Sequence, residues 1–134
     1  VFDNTDFRVV NSRTQQEGYV FAPATQSNLF YGFLAVNSRF NAAGDGVAQL
    51  GRSLDVDSAT NGQVVIRDSV INEGFNMAKP WADAAISKRP FSGNTGAVDD
   101  KGNVQRNLND AHFNRMWEYN NRGLGSKVVA EPKQ

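Results

Sequence analysis

One arginine in the sequence stands where it could do chemistry, at the end of a short apolar segment. The segment is Ala48-Gln49-Leu50-Gly51-Arg52-Ser53-Leu54, and Gly51 directly precedes Arg52. Glycine lets the backbone turn or approach a ligand closely, and arginine presents a planar fork of donors that suits a carboxylate. A strand that ends in this way could form the wall of an active site. The alternative is an arginine on the exposed surface of a strand.

Two further groups could carry chemistry, and each has a simpler structural interpretation. His112, the single histidine, could act as a general base, but its polar surroundings are typical of an exposed loop. Asp45, Asp55 and Asp57 could suggest calcium, yet their spacing lacks the glycine and the terminal glutamate of an EF-hand loop. Solvated loop carboxylates are therefore favoured, and we predict neither a metal site nor a cofactor.

The tryptophans offer one candidate for ligand contact. Trp81 follows Pro80 in a segment rich in proline and glycine. An indole over a groove is a common platform for a sugar ring, because it combines broad apolar area with one polar handle. Alternatively, Trp81 holds its loop against the body of the fold, and the sequence leaves both interpretations open. Trp117 lies in a strand pattern, which favours packing in the core.

Composition limits the classes of function. The chain has 134 residues, enough for one domain with a core, and 40% of them are apolar. Lys and Arg number 14, as do Asp and Glu, so a general nucleic-acid binder is disfavoured. The absence of cysteine excludes disulfides and a thiol nucleophile. The longest apolar run, residues 29–36, is too short to cross a bilayer, and we predict no transmembrane segment in this chain.

The distribution of β-branched and aromatic residues predicts a chain built of strands. The predicted strands are Val1–Val10 with a polar break at residues 4–6, Gly18–Ala22, Phe30–Phe40 with a break at residues 36–38, Val47–Leu54, Gln63–Asn72 and Phe113–Asn120. Residues 41–46 are predicted to form a turn. Residues 72–112 are predicted to form long loops on one side of the fold, where residues 81–86 could add one or two helical turns. Residues 126–134 are predicted to form a tail.

An internal repeat organises these strands. The six-residue stretches Phe2–Phe7, Ala35–Phe40 and Ile66–Ile71 share one pattern, in which an apolar pair brackets Asn or Asp followed by Ser or Thr. Their spacings of 33 and 31 residues are typical of a solenoid, and because the units are strands they favour a parallel β-helix. The repeated Asn or Asp is predicted to lie at a bend between two strands. The alternative is a chance similarity of strand endings.

Five stretches and one tryptophan carry a resemblance to a known family. They are Val1–Asn4, Gly18–Thr25, Tyr31–Arg39, Leu50–Arg52, Trp117–Gly125 and Trp81. Together they resemble the C-terminal part of a pectinesterase (pectin methylesterase, carbohydrate esterase family 8). The resemblance covers essentially the whole chain. It looks most like the bacterial branch that includes an outer-membrane lipoprotein also labelled an acyl-CoA thioesterase.

The resemblance implies a fold and an activity. The family fold is a right-handed, single-stranded parallel β-helix of the pectin lyase-like type. The implied reaction removes the methyl ester of a galacturonate unit by means of two aspartates and an arginine, and Arg52 matches that arginine. Both aspartates belong to family segments upstream of Val1, so we expect this chain to be the C-terminal part of one longer domain and inactive alone. The implied location is the cell envelope, in the outer membrane or periplasm, or secreted.

Leu54 marks the clearest departure from the family pattern. By resemblance, Leu54 and Trp81 are substrate-binding positions, but the family has tryptophan where this chain has Leu54 and proline where it has Ser53. Leucine cannot stack on a sugar ring as tryptophan does. The expected partner is therefore either a pectin-like polysaccharide or a different ester, including an acyl-CoA thioester. A third alternative is a non-catalytic β-helix that binds envelope polysaccharide.

Overall fold

The computed structural model describes residues 1–10, 18–26, 32–44, 46, 48–52, 62–77, 80–82, 91–92 and 114–126. Within these residues the chain forms eleven strands and no helix. The strands are β1 (Phe2–Asp3), β2 (Asp6–Val9), β3 (Tyr19–Phe21), β4 (Phe33–Val36), β5 (Arg39–Ala42), β6 (Gln49–Arg52), β7 (Gln63–Arg67), β8 (Val70–Ile71), β9 (Trp81–Ala82), β10 (Phe91–Ser92) and β11 (Asn114–Tyr119). The described residues contain no helix with the length and apolarity needed to span a membrane.

Three parallel sheets define the architecture. Their strand orders are β1-β4-β7-β11-β10, β2-β5-β8 and β3-β6-β9. In each of the first three coils the chain visits each sheet once, and successive coils stack in parallel. Strand β10 is the exception, because it precedes β11 in the chain but lies beyond β11 in the first sheet. This arrangement confirms the predicted all-β class and the parallel β-helix. The fourth coil begins with β11, and a bridge from Val70 to Arg122 extends it beside β8.

In every coil, one residue in the left-handed backbone conformation turns the chain from the first sheet to the second. The four residues are Asn4, Asn37, Asp68 and Asn120, with φ between 49° and 53°. Asn and Asp tolerate this conformation better than other non-glycine residues because their short polar side chains bond locally. Three of these bends lie at the predicted repeat positions. Sequence reasoning missed the fourth, at Asn120, because Asn121 follows it in place of Ser or Thr.

A ladder of polar groups runs inside the stack, directly after these bends. The Thr5 amide donates to Ser38 Oγ at 3.2 Å, and the Ser38 amide donates to Ser69 Oγ at 3.1 Å. The Ser69 amide donates to Asn121 Oδ1 at 2.9 Å. Ser38 and Ser69 are 1% and 2% exposed, so these bonds satisfy backbone groups that water cannot reach. The inner polar ladder therefore fixes how one coil sits on the next.

A fully buried carboxylate ends the inner polar ladder. Asn121 Nδ2 donates to Glu118 Oε2 at 3.1 Å and also to the Ile66 carbonyl at 3.1 Å. Ser126 Oγ donates to the same Glu118 oxygen at 3.1 Å. Glu118 has 0% exposure, and the two donors compensate for part of its lost hydration. The Ser126–Glu118 contact holds the residues that follow Asn121 against the last coil.

Aromatic and aliphatic side chains fill the rest of the interior. Phe7 and Phe40 stack with ring centroids 4.7 Å apart, and Phe40 meets Phe75 edge to face at 6.3 Å. The predicted core position of Trp117 is confirmed by its 2% exposure. The interior also contains Phe21, Ala35, Leu50, Val64, Ile66, Ile71 and Met116. A stack of this kind is the expected interior of a β-helix, because equivalent positions of successive parallel strands lie above one another.

Four predicted boundaries are corrected. Residues 63–72 form two strands in different sheets, because Asp68 in the left-handed conformation bends the chain between them. Strand β5 continues through Ala42, into residues predicted as a turn. Trp81 and Ala82 form strand β9 instead of a helical turn, so the segment 72–112 is not entirely loop. Ser126, predicted to begin a tail, is buried by its contact with Glu118.

The inner polar ladder predicts a large stability effect for a single hydroxyl. Ser69→Ala removes the acceptor of the buried Ser38 amide and the bond to the Arg67 carbonyl, and should lower the free energy of unfolding by about 1–3 kcal/mol. Urea unfolding of the full-length protein measures this. Asp68→Asn is the matched control, because Asn keeps the tolerance for a positive φ and should change stability by less than about 1 kcal/mol. Equal effects of the two substitutions would contradict the ladder.

Candidate active site

Arg52 is the last residue of β6, in the middle of the β3-β6-β9 sheet. Gly51 pairs in register with Phe21 on one side and Trp81 on the other, and Arg52 pairs with Ala82. Arg52 is half-buried, whereas the three residues before it in β6 are buried. The strand therefore presents one partly exposed cation at the end of a closely packed segment.

Gly51 has no space for a side chain. A Cβ at this position would lie 2.9 Å from the Phe21 carbonyl oxygen, 3.2 Å from Trp81 Cζ3 and 3.3 Å from Met116 Cε. The first contact is with backbone, which cannot move aside as a flexible side chain can. The glycine before Arg52 thus lets a ring and a thioether pack against the strand. This packing holds the backbone from which the arginine extends.

Trp81 lies on the neighbouring strand β9, and its side chain is enclosed in the interior instead of lying over a groove. Its side chain is 1% exposed and belongs to the core cluster. An enclosed indole has no free face for a sugar ring, so the burial favours the packing alternative for Trp81. Its position opposite Gly51 explains why the strand needs glycine there.

Tyr19 is the aromatic partner of Arg52. The guanidinium carbon lies 4.8 Å from the centroid of the Tyr19 ring, which is the geometry of a cation–π contact. No carboxylate in the described part of the chain forms an ion pair with Arg52. The ion pairs there lie at the bends between the first two sheets; they are Arg39–Asp6 and Arg67–Asp68. Within the described residues, the N–H donors of Arg52 are therefore not engaged by a carboxylate.

Several predicted site residues lie outside the described residues. These are Leu54, Ser53, Asp45, Asp55, Asp57 and His112. The described residues contain no group of acidic or histidine side chains that could hold a metal ion. Of the predicted site residues, the structure describes Arg52 and Trp81, which lie on the neighbouring strands β6 and β9, with Gly51 opposite Trp81.

Sequence reasoning missed the role of Tyr19. The available signal was weak: Tyr19 and Arg52 are 33 residues apart, about one repeat, which places them on neighbouring coils, but the register partner of Tyr19 is Gln49. An aromatic residue one coil away from a candidate catalytic arginine is a candidate for direct contact. The resemblance included the stretch around Tyr19, but it assigned no function to this side chain.

Comparison with known proteins shows, first, similarity to pectinesterases. Over 137 residues the chain is 42% identical to pectinesterase B of Dickeya dadantii, and it covers 30% of that protein. Its structure matches that of the rice weevil pectin methyl esterase with a TM-score of 0.72 at 34% identity, covering 93% of this chain and 36% of the weevil chain. The chain is thus a homologue of pectinesterases, and the predicted resemblance is confirmed. No protein-family model matches it.

One relative is much more similar. Over 134 residues the chain is 82% identical to the Escherichia coli K12 protein named "Putative acyl-CoA thioester hydrolase YbhC", all of this chain matching 31% of that protein. The crystal structure of Escherichia coli YbhC matches with a TM-score of 0.79, covering 94% of this chain and 32% of that one. The chain therefore spans about one third of the length of the relatives it matches.

The enclosed position of Trp81 predicts a structural effect of its substitution. Trp81→Leu should lower the free energy of unfolding by about 3 kcal/mol, because it leaves a cavity under Gly51. Trp81→Phe keeps a ring and should lose less. Thermal unfolding of both variants in the full-length protein measures the difference. Unchanged stability of Trp81→Leu, combined with weaker polysaccharide binding, would instead show that Trp81 is a ligand platform.

Proposed function

We propose that the protein containing this chain is a carboxylic ester hydrolase of the pectinesterase type, with Arg52 as a catalytic residue. The observation that carries the proposal is the setting of Arg52. It follows the closely packed Gly51, its guanidinium carbon lies 4.8 Å from the centroid of the Tyr19 ring, and it pairs with no carboxylate among the described residues. Homologues over nearly the whole chain are named pectinesterases, and this supports the reaction type. The chain is too small a part of these relatives to carry the whole site.

The proposed reaction converts a methyl ester and water into a carboxylic acid and methanol. By resemblance, one aspartate attacks the ester carbonyl, and a second aspartate gives a proton to the departing methanol. The second aspartate then takes a proton from the attacking water, which hydrolyses the enzyme-bound acyl group, and both aspartates return to their starting forms. We place both aspartates in the protein outside these 134 residues. The relatives' greater length supports this, since this chain covers 31% of YbhC.

Arg52 would act on the nucleophilic aspartate. A guanidinium donates two parallel hydrogen bonds to a carboxylate and holds it in one plane. Its charge also favours the ionised form, and only the ionised form attacks the ester carbon. An arginine already neutralised by another carboxylate could not do this as well. The absence of such a partner among the described residues therefore supports the assignment.

Leu54 motivates a second candidate for the substrate. A leucine offers apolar area without the flat face that stacks on a sugar ring. The name of the 82% identical relative refers to a thioester, which supports a different ester or thioester as the substrate. A non-catalytic β-helix that binds polysaccharide is the third candidate. Location in the cell envelope, or secretion from the cell, stays a prediction.

Removal of the Arg52 charge tests the catalytic proposal. In the full-length protein, Arg52→Ala should lower kcat/KM for methanol release from methylated pectin by about a hundredfold or more, because the nucleophilic aspartate loses its orientation and the charge that keeps it ionised. Arg39→Ala is the matched control, because its ion pair lies at a bend in another sheet. It should leave the rate near that of the parent. An Arg52→Ala variant as active as the parent would disprove a catalytic role.

Leu54→Trp tests the substrate class. The variant should raise kcat/KM for methylated pectin by about two- to tenfold, the value of one added aromatic contact, and leave hydrolysis of an aryl acetate unchanged. Leu124→Trp adds a tryptophan at a residue that is 79% exposed and serves as the control. Acyl-CoA is the third substrate assayed. If the parent protein hydrolyses none of the three but still binds pectin, the non-catalytic alternative is favoured.

A further inference from the structure

Tyr19 contacts the proposed catalytic arginine without belonging to the chemistry assigned to it. We propose that Tyr19 is a positioning residue that orients the Arg52 guanidinium. The two residues lie on neighbouring parallel strands, β3 and β6, and the guanidinium carbon is 4.8 Å from the ring centroid. The kinetic consequence of this inference rests on the proposed esterase function; the geometric consequence does not.

Contact with an aromatic ring suits the orientation of the Arg52 guanidinium better than an ion pair would. Arginine has a long side chain with many rotamers, and an unheld guanidinium would have to be ordered each time it meets an anion. A ring face binds the flat face of the guanidinium and leaves the N–H donors free at its edge. The contact therefore restrains the position of the Arg52 guanidinium and leaves its charge and its N–H donors for an anion. A carboxylate partner would occupy those donors.

Regular structure, and not a loop, holds the ring in place. Tyr19 pairs in register with Gln49, and the backbone N–H of Gln49 donates to the Gly18 carbonyl at 2.9 Å. At the other end of the same strand, Phe21 pairs with Gly51. Both ends of β3 are thus tied to the strand that carries Arg52. The ring therefore has a fixed backbone position relative to Arg52, which lies three residues beyond the register partner of Tyr19.

Kinetics of the full-length protein test the positioning role. Tyr19→Phe keeps the ring and should retain kcat within about twofold. Tyr19→Leu removes the ring and should lower kcat about tenfold, which matches the free energy of a partly buried cation–π contact. The change in KM should be smaller than the change in kcat. In an Arg52→Ala background, Tyr19→Leu should cause no further loss. An additive loss in that background would mean that Tyr19 acts on stability or packing alone, and would overturn the inference.

A chemical measurement tests the geometry independently of activity. Phenylglyoxal modifies arginine, and peptide mass spectrometry gives the rate at Arg52 with exposed Arg122 as an internal reference. Tyr19→Leu should raise the relative rate at Arg52 several-fold, and Tyr19→Phe should not. Tyr19→Met, which also lacks a ring, replaces Tyr19→Leu if that variant does not fold.

The two measurements separate the two proposals. A parent that hydrolyses no ester, together with faster modification of Arg52 in Tyr19→Leu, refutes the esterase proposal and supports the positioning of Arg52. Equal modification rates in the parent and in Tyr19→Leu overturn the positioning role, whatever the activity of the protein.

Discussion

The structure depends on one recurring constraint, the bend between the first and second sheets of each coil. Asn or Asp turns the chain at positive φ, and the next residue places a buried polar side chain inside the stack. In the second to fourth coils that side chain accepts a backbone N–H of the preceding coil, as Ser38, Ser69 and Asn121 do. A misaligned coil would leave these buried N–H groups unpaired, so the inner polar ladder penalises slippage. The bends thus fix the register on which all other contacts rely.

The candidate site follows from that register. Because the coils are aligned, the strand that ends in Arg52 lies beside the strand that begins with Tyr19, and a guanidinium meets a ring. The same alignment stacks Phe21, Gly51 and Trp81, and the glycine provides the space that the neighbouring ring needs. The ion pairs of the described residues lie at the bends of other strands. The fold therefore supports an arginine whose orientation is constrained and whose charge is available.

Sequence reasoning could find the periodic features of this fold and the motif around Arg52. The Asn/Asp–Ser/Thr repeat predicted three bends and the β-helix, because each bend has the same local chemistry. It missed Asn120, where an amide side chain performs the role of a hydroxyl. It could not place Trp81 in the core, since a strand of two residues is too short to show an alternating pattern. It also missed the contact of Tyr19 with Arg52, because pairing between coils depends on the lengths of the intervening loops. The glycine before Arg52 was recognised, but its cause is the close approach of the Phe21 carbonyl, with Trp81 and Met116 beside it, which only coordinates reveal.

The central claim is that this β-helix holds Arg52 ready for a carboxylate supplied by the rest of the protein. A crystal structure of the full-length protein tests it most directly. The account predicts that the carboxylate of an aspartate outside these 134 residues lies within hydrogen-bond distance of the Arg52 guanidinium, while the guanidinium still stacks on Tyr19. An Arg52 side chain that points into bulk solvent, with no carboxylate beside it and no ring beneath it, would contradict the account.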